Sequence, residues 1–450
     1  MSADVYAARR ARILDMLGDD GALIVTAAPE LTVGPDSPLR YSPDTDLYYL
    51  TGHTEPEAVL VLCAQGDARV TLFVRPRDDE RERWSGPRAG VDGARELIGS
   101  AAVHPIDELR ARLPALVESA NSLFAPFDTQ RPDVDDAVRA ALLHGQRRRP
   151  RHGSGPDALR NGRRLIAALR MRKDETELAR IREAARITVA AFVDTARRLA
   201  RPGTGAAPAS RHDDRQLAEA DLQATLEYGF LSRGAMGPAF PTIVAGGERA
   251  TILHYESNDR PLRTDELVLI DGGARYRMYC GDISRTFPVS GRFSDAQRAL
   301  YGIVRAAHAA AVDAVRPGAP AADLDAAAVR VLATGMVELG LLHGSVDDII
   351  EKKEYRRYYP HRTSHWLGLD VHDAGDYMIA TDSPLPLDAG MVLTIEPGLY
   401  VPAGDTAAPA ALRGIGIRLE DDVLVTPAGH EVLTRDLPIE ADDVAALLRA

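Results

Sequence analysis

The stretch that most restricts what this chain can become is residues 267–289, LVLIDGGARYRMYCGDISRTFPV. An apolar, β-type run over residues 267–270 ends in Asp271, and Gly272 and Gly273 follow at once. Asp282 comes eleven residues later, directly after Gly281. Side chains alternate faces along a strand, so this odd separation would put the two carboxylates on opposite faces of one straight strand. The glycine pair and Gly281 allow a tight turn and a kink that aim both at one point. Taken alone, the pair is better read as an Asp-Gly hairpin turn and a loop aspartate.

The downstream sequence changes that reading. Residues 361–373, HRTSHWLGLDVHD, place His361, His365 and His372 within twelve positions. Residues 394–398 (TIEPG) and 416–421 (GIRLED) are β-rich apolar stretches that deliver Glu396 and Glu420. Each of these is weak alone, but the order Asp271, Asp282, His365, Glu396, Glu420 is a specific pattern. It resembles the metallopeptidase family with the pita-bread fold, which includes methionine aminopeptidase, prolidase and Xaa-Pro aminopeptidase. Within that family, residues 364–373 and residues 40–62 (RYSPDTDLYYLTGHTEPEAVLVL) are most similar to bacterial Xaa-Pro aminopeptidases. The resemblance extends from about residue 41 to about residue 434.

A chain of 450 residues is too long for one ordinary core, so two domains are expected. The fold class is α/β (α+β). Residues 1–170 read as a small α/β domain, similar to the N-terminal domain of creatinases, prolidases and Xaa-Pro aminopeptidases. Residues 171–450 would then form the pita-bread catalytic domain, a pseudo-twofold duplicated, curved antiparallel sheet with outer helices. No apolar run reaches the ~18 residues of a membrane span. The first residues lack a secretory pattern, and two cysteines fit a reducing compartment, so a cytoplasmic protein is expected. A net charge of -12 disfavours nucleic acid and anionic membrane as partners.

In the first half, residues 4–17 read as an amphipathic helix and residues 22–26, 47–50, 58–63 and 70–74 as strands. Helical patterns follow at 92–99, 106–119 and 134–143. The basic cluster Arg147, Arg148, Arg149 and Arg151 reads as a solvated loop, and residues 157–170 as a linking helix. Asp174 and Glu177 make a capping box for a long helix that runs to Arg201-Pro202-Gly203. A second long helix starts at Ser294-Asp295 and ends in the same tripeptide, Arg316-Pro317-Gly318. Each is followed by another helical stretch (213–228 and 321–340) and then by strand-rich sequence. This weak internal repeat supports the pseudo-twofold fold.

Four carboxylates neutralise two divalent cations, and that much buried negative charge without metal would be costly. A carboxylate-rich set with one imidazole suits Mn²⁺, Co²⁺, Fe²⁺ or Zn²⁺. The residues alone permit one metal, although five such ligands over-fill a tetrahedral zinc site. The resemblance implies a dinuclear centre, most often manganese, held by Asp271, Asp282, His365, Glu396 and Glu420. It also implies hydrolysis of a peptide bond before proline, with Glu396 shuttling a proton and His372 stabilising the oxyanion. His254 would face the leaving residue and His361 would help to form the proline pocket. Arg418 lies two residues before Glu420, so both would face the site on a strand. Tyr400 is similar to a family tyrosine near substrate. Asp46 matches an N-terminal-domain residue that can reach a neighbouring subunit's active site in the tetrameric relatives, and a homo-oligomer (dimer or tetramer) is expected.

His53, His104, His144, His152, His212, His308, His343 and His430 keep structural or surface readings, Cys280 reads as a small buried thiol and Trp366 as a packing group. Trp84 reads as a packing group that could approach substrate in an oligomer. Two departures from the family bear on specificity. Arg362 follows His361 where some relatives have glycine, and Phe240 stands where a tyrosine is expected. The expected function is Xaa-Pro aminopeptidase, with prolidase, which cuts only dipeptides, as the alternative. A metal-free binding module and a creatinase-like C–N hydrolase fit the ligand set less well.

Overall fold

The computed structural model describes residues 3–34, 37–66, 68–99, 101–127, 129–200 and 216–449. The chain divides into two compact units, Met1–Leu169 and Arg170–Ala450. Among the described residues, no helix is long and apolar enough to cross a membrane.

The N-terminal unit is a six-stranded mixed sheet with helices around it. Strand Gly21–Thr26 lies centrally, antiparallel to Val59–Cys63 and parallel to Ser122–Ala125. The strands expected at 22–26, 58–63 and 70–74 are present. Residues 47–50 are not a strand but lie within the helix Thr45–Thr51. Their aromatic content favours β structure, but the helix ends override it. Asp44 Oδ1 accepts from Leu47 N at 2.7 Å, and Gly52, at φ 75°, supplies the left-handed cap. Buried Arg10 then donates to the Leu50 carbonyl at 2.8 Å.

The basic cluster is not a loop but forms the last turns of the helix Pro132–His152. Arg148 pairs with Glu118 at 3.1 Å, and Arg149 donates to the Gly155 carbonyl at 2.8 Å. These arginines serve the fold of their own unit. The linking segment 157–170 is divided into a strand, Ala158–Asn161, and a helix, Arg163–Arg170.

The C-terminal unit repeats one pattern: two packed helices, then antiparallel strands. Helices Glu175–Ala200 and Glu219–Ser232 precede the sheet formed by Ile243–Gly246, Leu267–Gly272 and Ile283–Pro288. Helices Asp295–Ala314 and Ala321–Glu338 precede the pairs Val392–Ile395 with Asp421–Thr426 and Gly398–Val401 with Ile415–Arg418. Both expected caps form: Asp174 and Glu177 exchange hydrogen bonds of 2.9 and 3.0 Å, and Ser294 does so with Gln297. The first Arg-Pro-Gly tripeptide, His212 and the start of the expected helix at 213 lie outside the described residues. The two halves meet where Glu420 N donates to Ser284 O at 3.0 Å and Arg418 N donates to Thr286 Oγ1 at 3.3 Å.

Glycine is required at the turn between the two aspartates. A Cβ at Gly273 would sit 1.6 Å from the Gly281 carbonyl oxygen, so no side chain fits without moving backbone. That approach lets strands Leu267–Gly272 and Ile283–Pro288 pair with Ser284 opposite Asp271. Gly273→Ala should therefore destabilise the C-terminal unit by about 3 kcal/mol or more. Thermal unfolding checks this, and an unchanged transition would contradict it.

Candidate metal centre

Three backbone pairings bring the carboxylates and His365 together. Asp271 lies inside the strand Leu267–Gly272 with Ser284 across from it, and Asp282 directly precedes the partner strand. The segment carrying His365 runs beside the strand Val392–Ile395. Thr394 N donates to His365 O at 2.9 Å, and Glu396 N donates to Thr363 O at 2.8 Å. The Glu420 bond to Ser284 then brings the last carboxylate alongside.

His365 Nε2 lies 3.4 Å from Asp282 Oδ2, 3.7 Å from Glu396 Oε1 and 3.9 Å from Glu420 Oε1. Ligand atoms of Asp282, His365 and Glu420 all lie within 4.8 Å of one another. The His365 Nδ1 contacts the Trp366 carbonyl at 3.1 Å, which leaves Nε2 to face the carboxylates. Asp271 Oδ1 and Asp282 Oδ1 are buried without hydrogen-bond partners. Buried carboxylate oxygens left unpaired in this way have the chemistry of cation ligands, so the residues present fit a divalent metal.

The electrostatics agree. Burial, then the neighbouring carboxylates, hold Asp282 and Glu420 well above the usual carboxylate range. Burial raises Glu396 to about 7. Burial and the Arg418 charge lower His361 to about 4, so it is neutral near neutral pH. His372 is lowered by burial and by the nearby His365 and His254. Its ring meets that of His365 edge-on, with centroids 4.3 Å apart.

Arg418 ties one wall together. It donates to Asp271 Oδ2 at 2.5 Å, Ser284 Oγ at 2.9 Å and Tyr400 Oη at 3.1 Å. Tyr400 in turn contacts His361 Nε2 at 2.7 Å, and His361 Nδ1 is 3.6 Å from Glu396 Oε2. His254 is exposed in the turn after the 3₁₀ segment Gly247–Thr251. Asp46 and Trp84 belong to the N-terminal unit, with Asp46 in the first turn of Thr45–Thr51 and Trp84 89% exposed. Arg362 is exposed with its guanidinium over the Tyr377 ring, and Phe240 is half-buried.

Ser284 was not singled out from the sequence. Its hydroxyl donates to Glu420 Oε2 at 2.9 Å and accepts from Arg418. The sequence carries a signal for it, because Ser284 follows Asp282 by the two-residue spacing of one strand face. His308 is structural, as expected: it is buried with Nε2 3.1 Å from Asp421 Oδ2.

The aminopeptidase P N-terminal domain matches residues 6–124, and metallopeptidase family M24 matches residues 179–427. The chain belongs to metallopeptidase family M24. It is 36% identical to the Xaa-Pro aminopeptidase of Escherichia coli, covering 100% of this chain and 98% of that protein. An aminopeptidase structure from Pseudomonas aeruginosa superposes with a TM-score of 0.91 at 37% identity, covering 100% of this chain and 98% of the other. Zinc-substituted aminopeptidase P from E. coli, in complex with product, gives 0.90 at 36% identity with the same coverage.

The raised carboxylates hold more protons folded than unfolded, so the metal-free protein loses stability as pH rises from the ordinary 4.5 of a glutamate toward about 7. A bound cation replaces those protons, and its stabilisation should grow over the same window. The melting-temperature gain on adding Mn²⁺ to chelator-treated protein should be larger at about pH 7.5 than at about pH 5.5. Equal gains would contradict this account.

Proposed function

We propose that this protein is an Xaa-Pro aminopeptidase, a hydrolase that releases the N-terminal residue from peptides whose second residue is proline. The observation that carries the reading is the convergence of Asp271, Asp282, His365, Glu396 and Glu420 beside a wall of Arg418, Tyr400 and His361. Similarity to Xaa-Pro aminopeptidases over the full chain supports it.

Asp271, Asp282, His365, Glu396 and Glu420 would hold two divalent ions, manganese in our reading, with cobalt, zinc or iron as alternatives. When bound, such a pair supplies a water of lowered pKa and Lewis-acid polarisation of the scissile carbonyl. The protein's own groups do the rest. Glu396 takes a proton from the attacking water and delivers it to the leaving nitrogen, a task suited to a carboxyl held near neutrality. His372, whose imidazole burial disfavours charging, donates to the oxyanion. His254 faces the leaving residue, and His361 with Tyr400 lines the proline pocket. Arg418 pairs with Asp271 and orients its carboxylate beside the substrate's amino terminus. Proline lacks an amide hydrogen and has a fixed ring, so a shaped pocket selects it.

We further propose a cytoplasmic homo-oligomer, a dimer or tetramer, in which Asp46 reaches a neighbouring subunit's site. Nucleic acid and membrane are not proposed as partners.

Hydrolysis of Ala-Pro-Ala and Ala-Pro with added Mn²⁺, with products identified by mass spectrometry, tests the reading. Release of alanine from the tripeptide, leaving Pro-Ala, is expected. Cleavage of the dipeptide alone would make the enzyme a prolidase, and cleavage of neither would overturn the reading. Glu396→Gln should lower kcat by at least ~100-fold, because it removes the proton carrier.

A further inference from the structure

Glu219 is a fully buried carboxylate outside the metal centre, at the start of the helix Glu219–Ser232. Its two oxygens collect four hydrogen bonds, all from one irregular segment. Oε1 accepts from Gly246 N at 2.8 Å and Arg249 Nε at 2.7 Å. Oε2 accepts from Tyr255 Oη at 2.9 Å and Arg260 N at 3.0 Å. One side chain thus grips residues 246–260 at the entry, the middle and the exit. His254 lies inside that span, next to one of the donors.

A second buried side chain seats the same segment. Asn258, at φ 46°, accepts from Val244 N at 2.9 Å and donates to Thr242 O at 2.7 Å. The segment in turn lies against the catalytic wall. A Cβ at Gly416 would be 2.1 Å from the Ala250 carbonyl oxygen, and Gly416 is on the strand that carries Arg418. Leu253 and Tyr255, which flank His254, pack on a small core that includes Ala250 and Tyr400. The neighbours of His254 are therefore fixed on both sides, while its imidazole stays exposed.

After the strand end at Gly246 and the 3₁₀ segment Gly247–Thr251, residues 252–260 belong to no helix or strand. Their path is set by bonds to Glu219 and Asn258. A carboxylate is the group that can accept from four donors at once, whereas a glutamine amide would turn NH₂ toward two of them.

We propose that Glu219 is a positioning residue for the reaction: it clamps residues 246–260 so that His254 is presented to the substrate. This rests on the Xaa-Pro aminopeptidase reading and on the role given there to His254. Displacement of an oriented group by even 1 Å costs roughly 100-fold in favourable cases, so Glu219→Gln should lower kcat/KM on Ala-Pro-Ala roughly 10- to 100-fold. Tyr255→Phe removes a single bond to the clamp, and about a threefold loss is expected.

The test is a double-mutant cycle with His254→Ala in the metal-loaded enzyme. If Glu219 acts through His254, then Glu219→Gln and Tyr255→Phe should each cost less than about twofold in the His254→Ala background. Bound metal should be unchanged throughout. Multiplicative losses, loss of metal on Glu219→Gln, or full activity of Glu219→Gln would each overturn the proposal. Tyr255→Phe keeps it falsifiable should Glu219→Gln fail to fold. If the wild type cleaves no Xaa-Pro peptide, the functional reading itself fails. If only the cycle is additive, the clamp fails and that reading stands.

Discussion

Four carboxylates gathered with one imidazole, with Asp271, Asp282 and Glu420 buried and Glu396 half-buried, are the constraint on which the C-terminal unit depends. Two such charges about 4 Å apart repel by about 4 kcal/mol at an effective dielectric of ~20, and ligand oxygens of Asp282 and Glu420 lie within 4.8 Å of each other. Arg418 lies directly against Asp271 and offsets part of that repulsion. The raised Asp282, Glu396 and Glu420 are the remainder, expressed as retained protons. Divalent cations would remove the need for those protons. The centre is thus built to be completed by metal, and its unpaired carboxylate oxygens are the acceptors left for it.

Holding such a centre requires a rigid frame, and the fold supplies one behind the strands. Arg285 is fully buried and donates to the Glu420 carbonyl at 2.6 Å, the Asp421 carboxylate at 2.7 Å and the Pro438 carbonyl at 2.9 Å. Asp421 also accepts from Thr434 at 2.6 Å, and its neighbouring cation holds it far below the usual range. Farther along, Asp373 is buried against Lys173 and Arg170 and fixes the loop that carries His365 and His372. Their cationic partners hold Asp373 and Asp421 below the usual carboxylate range, whereas Asp282, Glu396 and Glu420 at the centre are held above it. The contrast separates frame from site.

Much of this was legible in the sequence because the ligands are delivered by strands with short, patterned surroundings. The apolar run before Asp271, the glycines after it and the spacing of the three histidines all have direct structural consequences. The buried networks were less legible. Glu219 and Arg285 read as ordinary charged residues until the partners that bury them, 27 to 41 and 135 to 153 positions away, are brought together. The errors were local. Tyr48 and Tyr49 favour a strand by propensity, yet the Asp44 cap and left-handed Gly52 fold them into a helix. Arg147 to Arg151 resemble a solvated loop, but Glu118 and the Gly155 carbonyl, supplied by other segments, continue the helix through them.

The most direct test of the central claim is metal stoichiometry. Chelator-treated protein, dialysed against Mn²⁺ and analysed by elemental mass spectrometry, should bind about two ions per chain. Asp282→Asn should sharply reduce that number without unfolding the protein, as followed by circular dichroism. A folded wild type that takes up no Mn²⁺ under these conditions would contradict the account, because the carboxylate cluster would then not be a metal site.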